Sequence, residues 1–231
     1  MNKIYKLLLC MLVVPLNGFA GENDLYDFLW LDPDKKVYIL QNKLYQKKNS
    51  LYVDIGYLTN ISSDFEDVNG ATMKVGYYFF EEWAVELMYN TYSSSTNSTY
   101  ESVKVVNDAE PFIRRANSTV AAFAIWSPFY GKINTFNKIY YFDLSFGVGY
   151  GAMSAESNLD SVRTPSAPNT FQSEEYNPIM LKTNLKFHIN QNFHLGVEFL
   201  NSNFQAGSPK FPNKKEWKQF NDFSLNIGVS F

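Results

Sequence analysis

The sequence predicts an all-β fold: an eight-stranded antiparallel transmembrane β-barrel preceded by an N-terminal extension. Three observations carry this. Eight segments place apolar side chains at alternate positions, each near the ~9–11 residues that a tilted strand needs to cross a bilayer. The alternate positions in between hold charges and glycines, and charge facing hydrocarbon is costly, so the polar face must turn into the lumen. The last nine residues, Phe223-Ser-Leu-Asn-Ile-Gly-Val-Ser-Phe231, form one unbroken stripe only as a strand, and a terminal aromatic closing such a stripe is typical of outer-membrane barrels.

The strands are expected at Ser50–Asn60, Gly70–Phe80, Glu82–Tyr92, Ser118–Pro128, Lys138–Ala152, Tyr176–Ile189, Asn192–Asn201 and Phe220–Phe231. Their lipid-facing sets run from Leu51/Val53/Ile55/Tyr57 through Val120/Ala122/Ala124/Trp126 to Phe223/Leu225/Ile227/Val229/Phe231. The lumen set is Asp54, Lys74, Glu86, Asp143, Lys182, Lys186, His188, His194 and Glu198, with Gly76, Gly147, Gly149, Gly196 and Gly228 leaving some room for water. An even strand count lets the sheet close with both ends on one side.

Connections alternate in length. Phe80–Glu82 and Asn190–Asn192 read as tight turns, while Ile61–Asn69, Ser93–Asn117, Met153–Glu175 and Ser202–Gln219 read as long polar outer loops. Aromatics form two bands, Phe79, Trp83, Trp126, Phe187, Phe193 and Phe231 at the turn end and Tyr57, Tyr89, Tyr92, Tyr150, Tyr176 and Phe199 at the loop end, as at the two interfaces of a membrane. Two segments break the rhythm: 21–49 before the first strand, and Ser127–Asn137 where a tight turn is expected.

Residues 1–20 have the layout of a secretory signal peptide: Lys3 and Lys6, an apolar run from Leu7 to Leu16, then small residues around Ala20. Residues 21–49 are then a periplasmic extension and 50–231 the outer-membrane barrel. Cys10 is the only cysteine and lies in the apolar run, so no disulfide is expected after export. A formal charge of −3 does not suggest a nucleic-acid partner.

Val37-Tyr-Ile-Leu-Gln-Asn-Lys-Leu-Tyr-Gln-Lys-Lys48, Ile125-Trp-Ser-Pro-Phe-Tyr-Gly-Lys132, Phe136-Asn-Lys-Ile139, Phe142-Asp143 and Gly147-Val-Gly-Tyr-Gly151 resemble a family of small outer-membrane β-barrels of gliding and predatory δ-proteobacteria. The likeness spans about Val37 to Gly151. It implies an outer-membrane barrel and brings no settled activity or ligand. The architecture also looks like the OmpA and OmpX membrane domains, an analogy of fold that carries no function.

Across a three-residue turn at Asn190–Asn192, His188 and His194 should face each other in the lumen. Zinc needs three or four ligands and no other is evident beside them, so a structural pair is expected and no metal or other cofactor. The same registers set Lys186 diagonal to Glu198 and Lys74 diagonal to Glu86, a salt-bridged plug in a lumen just wide enough for side chains. Lys210, Lys214, Lys215 and Lys218 form an outer-loop basic patch that could hold lipopolysaccharide phosphates, beside an acidic first loop with Asp64, Glu66 and Asp67. Gln41, Asn42, Tyr45, Pro128, Tyr130, Lys132 and Phe136 are candidates for docking a periplasmic protein.

The resulting expectation is a non-enzymatic structural or docking barrel of the outer membrane, in contact with lipid and lipopolysaccharide. A narrow, porin-like pore, a lipid-modifying enzyme and a soluble lipocalin-like binder are the alternatives. The binder would put the apolar stripes inside.

Overall fold

A computed structural model describes residues 43–107, 110–135, 138–163, 169–211 and 214–231, and the account below concerns the unit Leu44–Phe231. The predicted signal peptide, most of the predicted extension, and the docking candidates Gln41, Asn42 and Phe136 lie outside the described residues.

The strands are β1 (Ser50–Asn60), β2 (Glu66–Tyr78), β3 (Trp83–Thr96), β4 (Arg114–Thr135), β5 (Lys138–Ser157), β6 (Gln172–Tyr176), β7 (Ile179–His188), β8 (Phe193–Gly207) and β9 (Lys215–Ser230). Each pairs antiparallel with its neighbour, β5 pairs back onto β4, and β1 joins β9, so the sheet closes into a ring of eight positions. Among the described residues, two helices, α1 (Ser98–Asn107) and α2 (Leu159–Arg163), sit in loops at the end opposite Phe231. Asn97 caps α1, its Oδ1 accepting from the Tyr100 N–H at 3.1 Å.

The alternation sorts the faces as predicted, including in the fourth strand. Val120, Leu225 and Ile227 are 54%, 56% and 59% exposed on the outer wall, while Phe123, Ser224 and Asn226 between them are buried. Because the outer wall is apolar and the interior is charged, the molecule is inside out relative to a soluble barrel, and the lipocalin-like alternative fails.

The turn at Asn190–Asn192 is tight for a local reason: Asn190 Oδ1 accepts from the N–H groups of both Asn192 and Phe193. The expected connection Ser127–Asn137 is strand over its described part, 127–135. β4 bulges between Trp126 and Phe129, where Pro128 lacks an N–H, and then continues with β5 as a hairpin beyond the β3–β4 pairing.

At the loop end the strands run further than predicted. β2 starts four residues earlier, at Glu66 rather than Gly70, β5 continues to Ser157, and β8 reaches Gly207. These extensions carry polar residues such as Asp67, Asn69, Ser154, Glu156, Asn203 and Gln205, so they lack the apolar stripe that marks a strand in lipid. The predicted sixth strand, Tyr176–Ile189, is observed as β7 from Ile179, and beyond the break at Asn177-Pro178 lies β6, almost wholly within the expected outer loop Met153–Glu175. Tyr92 and Tyr176 are also not membrane-interface residues. Tyr92 faces inward and donates to Asp222, and Tyr176 packs on Phe204 with ring centroids 4.7 Å apart.

Candidate functional site: the filled lumen and its turn-end strap

The lumen is built by alternate positions of the strands, even-numbered on most of them and odd-numbered on β4 and β5, and its centre is a four-residue ionic cluster. Lys74 on β2 reaches Glu198 on β8 at 3.0 Å, Lys182 on β7 bonds Glu86 on β3, and Lys182 also reaches Glu198 at 3.2 Å. Tyr52 on β1 donates to Glu86 at 2.6 Å. Lys74 is 0% exposed. The diagonal neighbours Lys74/Glu86 and Lys186/Glu198 are therefore adjacent in register but not partners. The lysine stems are long enough to cross the lumen, and each carboxylate is met from the opposite wall.

Toward the turn end the cluster divides into two histidine–aspartate pairs. His194 Nε2 lies 2.6 Å from Asp54 Oδ1, and His188 Nε2 lies 2.7 Å from Asp143 Oδ2. Register opposes His188 and His194, with ring centroids 6.3 Å apart. Sequence reasoning left the histidines without acidic neighbours, because Asp54 and Asp143 come from strands far away in the chain. Even so, no group of three or more His, Cys, Asp or Glu able to hold a metal occurs among the described residues.

Lys186 lies 3.7 Å from the second oxygen of Asp54 and 4.1 Å from the centre of the Tyr52 ring. Ser230 Oγ is 3.4 Å from His194 Nδ1. The serine, histidine and aspartate are ordered as in a hydrolase relay, but the serine contact is long, His194 is only 1% exposed, and Asp54 is shared with Lys186. The arrangement holds the ring between Asp54 at Nε2 and Ser230 at Nδ1.

The lumen glycines do not leave water space. A Cβ on Gly228 would lie 2.0 Å from Asp54 Oδ1 and 2.1 Å from His194 Nε2, and one on Gly76 would lie 2.2 Å from the Tyr52 ring. Small residues stand where large polar side chains cross. A lumen cavity lined by Tyr52, Glu86, Lys182, Asn184 and Lys186 amounts to ≈ 10 Å³, at the lower limit for a single water.

The turn-end mouth is closed by a strap, residues Leu44–Asn49, which sequence reasoning placed on this side without assigning it a contact. Lys47 Nζ lies 2.8 Å from Asp143 Oδ1, and both side chains are almost wholly buried. Tyr45 stacks on His188 at 5.0 Å and meets Tyr141 edge-on at 5.4 Å. Glu81 in the β2–β3 turn accepts from the N–H groups of Lys47 and Lys48 at 2.8 and 3.0 Å. Asn49 takes φ 59° to swing the chain into β1, a left-handed conformation that asparagine tolerates better than most residues. Of the docking candidates, Tyr45 and Tyr130 face each other within the chain, Pro128 sits in the β4 bulge, and Lys132 is exposed on the hairpin.

The charges balance. Lys74, Lys182 and Lys186 from the wall face Asp54, Glu86, Asp143 and Glu198, and Lys47 from the strap supplies the fourth cation. Further toward the loop end Asp222 is held by neutral donors, Tyr92 at 2.7 Å and Asn60 at 2.6 Å.

Beyond the apolar band the loops are tied together by arginines that sequence reasoning missed. Arg114 bonds Glu174 at 2.9 Å, and Arg115 bridges Glu66 and Glu156 at 3.3 and 3.2 Å. Burial alone would raise the Glu174 carboxyl, but hydrogen bonds from Arg114 and Tyr176 outweigh it and hold the group below its ordinary range. Burial raises Glu66, which Arg115 only partly offsets. The basic patch is split: Lys218 pairs with Glu216 at 3.2 Å, Lys214 lies over the Phe211 ring, Lys215 is exposed on the outer wall, and Lys210 is in the β8–β9 loop.

No family model matches the chain, and no curated protein matches it. Among solved structures it is similar to the N-terminal β-barrel domain of Pseudomonas aeruginosa OprF, at 13% identity and TM-score 0.46 over 80% of this chain and 100% of that one. It is also similar to Ail, the attachment invasion locus protein of Yersinia pestis, at 13% identity and TM-score 0.42 over 80% and 99%. A third is Neisserial surface protein A, at 14% identity and TM-score 0.41 over 78% and 94%.

Proposed function

We propose that the protein is a non-enzymatic, non-conducting outer-membrane barrel that serves as an envelope anchor, holding its leading segment at the periplasmic mouth and a crown of loops outside. One observation carries this reading: the lumen is filled by mutually neutralising side chains, and the strap that closes it contributes a buried cation of its own. A filled lumen suits attachment better than passage, because a barrel interior crossed by ion-paired side chains has little room for a solute. The apolar wall with its aromatic bands supports placement in lipid, and the lysines of the β8–β9 loop suit contact with lipopolysaccharide phosphates.

Two measurements test the proposal. Planar-bilayer recording of the refolded full chain should show no steady conductance. Envelope extracts passed over the chain with and without residues 21–42 should yield at least one periplasmic protein that depends on that segment. A stable conductance would return the narrow-pore alternative, and identical captured sets would remove docking.

A further inference from the structure

The ring is closed through the membrane but not above it. β6 pairs only with β5, and the outer part of β8, from Phe204 to Gly207, pairs only with β9. The change falls at Asn177-Pro178: Pro178 has no N–H to offer β8, and beyond it β6 continues the ladder on β5 in the register of β7 but no longer pairs with β8. What remains is a lateral cleft of ≈ 580 Å³ between two strand edges, with Tyr150, Ile179 and Trp217 on its outer lip.

Main-chain groups of both edges point into it. Ser208 N donates to Lys214 O, so the even-numbered residues of this stretch pair with β9, and Gln205 and Gly207 turn to the cleft. Gly207 O bears this out by accepting from Arg114 Nη2 at 3.0 Å. On the other side Asn158 N donates to Ile113 O of the β4 approach, which turns the odd members of β5 toward β6 and leaves Ser173 and Glu175 aimed at the cleft. Arg114 spans the gap from within, from the Glu174 carboxylate to the Gly207 carbonyl, where a continuous sheet would have a direct main-chain bond.

We propose that this cleft is a binding site for an extended peptide segment of another protein, about five residues long, which completes the sheet between β6 and β8. An unpaired strand edge is a template for another strand, and two facing edges offer hydrogen bonds to both sides of one guest. Since β6 runs opposite to β8, the guest lies antiparallel to one edge and parallel to the other. The exposed charges favour a peptide over an anionic lipid: Glu175 stands on one edge and Lys215 beside the other, so a guest with a basic side chain toward β6 is matched, whereas a phosphate meets Glu174 and Glu175.

The test uses the full chain in phosphatidylcholine nanodiscs and a blocked pentapeptide of alternating threonine and valine with a central lysine. Amide exchange at Ser173, Glu175, Gln205 and Gly207 should slow at least tenfold on adding the peptide. A version N-methylated at alternate amides should have no effect, and Glu175→Lys should weaken the lysine peptide at least threefold. Equal protection by the N-methylated peptide would overturn strand pairing. Slow exchange before any peptide is added would do the same, showing the cleft already filled by lipid or by a second copy. No change with either peptide also refutes the site.

Discussion

Replacing Lys47 by methionine keeps the stem that fills the turn-end mouth and removes the cation 2.8 Å from Asp143. The side chains of Lys47 and Asp143 are 6% and 2% exposed, so solvent cannot substitute for the lost partner. Removing one member of a buried pair typically costs about 3–5 kcal/mol. His188 still bonds the other Asp143 oxygen at 2.7 Å, which sets the expectation at the low end, about 3 kcal/mol by the same rule or roughly a hundredfold in the folding equilibrium. Urea titration of the chain folded in phospholipid vesicles, followed by tryptophan fluorescence, measures the loss as a lower midpoint at unchanged slope. Asp143→Asn alone should also destabilise. The double variant Lys47→Met/Asp143→Asn should recover at least about 1.5 kcal/mol relative to the sum of the singles, because no charge is then left stranded. Additive losses, or a Lys47→Met variant within about 0.5 kcal/mol of the parent, would refute the strap as the fourth cation of the lumen.

Gly228→Ala should cost about 1–3 kcal/mol by overpacking and separate His194 from Asp54, seen as a changed His194 ring signal by NMR; an unaltered signal would contradict the crossing geometry. Lys182→Met strands Glu86, leaving Glu198 to Lys74 alone, and should destabilise by about 3–5 kcal/mol in the same urea assay, more than Lys218→Met at the solvent-facing pair with Glu216. Ile227→Arg puts charge on the apolar wall and should cost about 2–4 kcal/mol, read as reduced folding into vesicles; full folding would move this position out of the hydrocarbon. Because the Glu174 carboxyl is held below its ordinary range, its bond to Arg114 adds stability that is present above that range and lost as pH falls through it. Protection of β6 amides, taken relative to the intrinsic exchange rate at each pH, should therefore fall on acidification while β7 stays protected, and equal loss in both would refute the link.

The membrane-spanning part was legible because lipid imposes a strict rule: Leu225, Ile227 and Val229 can alternate only with residues that lie inside. The same rule brought out the nine lumen residues as inward-facing. It could not reveal partners, since a lysine such as Lys74 reaches across the ring to Glu198, and which strands stand opposite depends on closure rather than on local register. Lys47 carries no periodic signal at all, being seven residues before Asp54 in a stretch that enters the mouth rather than the wall. The outer extensions of β2, β5, β8 and β9 turn an inner face with Met153, Ala155, Phe204 and Ala206 into a small buried cluster but carry mostly polar residues on the other face, so no lipid-facing apolar stripe marks them, and the arginines that tie them are invisible to a pattern search. Pro178 was the one local sign that the sixth strand breaks, and it was legible in principle.

The strap meets the ring beside the place where it closes: Leu51 and Phe231 exchange main-chain bonds at 3.2 and 2.8 Å, a short step past Asn49. A tug arriving along the chain at Leu44 is thus borne first by the Glu81 clamp and the Lys47 contact, which load sideways and together, before any force reaches the β1–β9 seam that could be unzipped rung by rung. The grip at the mouth acts as strain relief, as a knot in a cable spares the plug behind it.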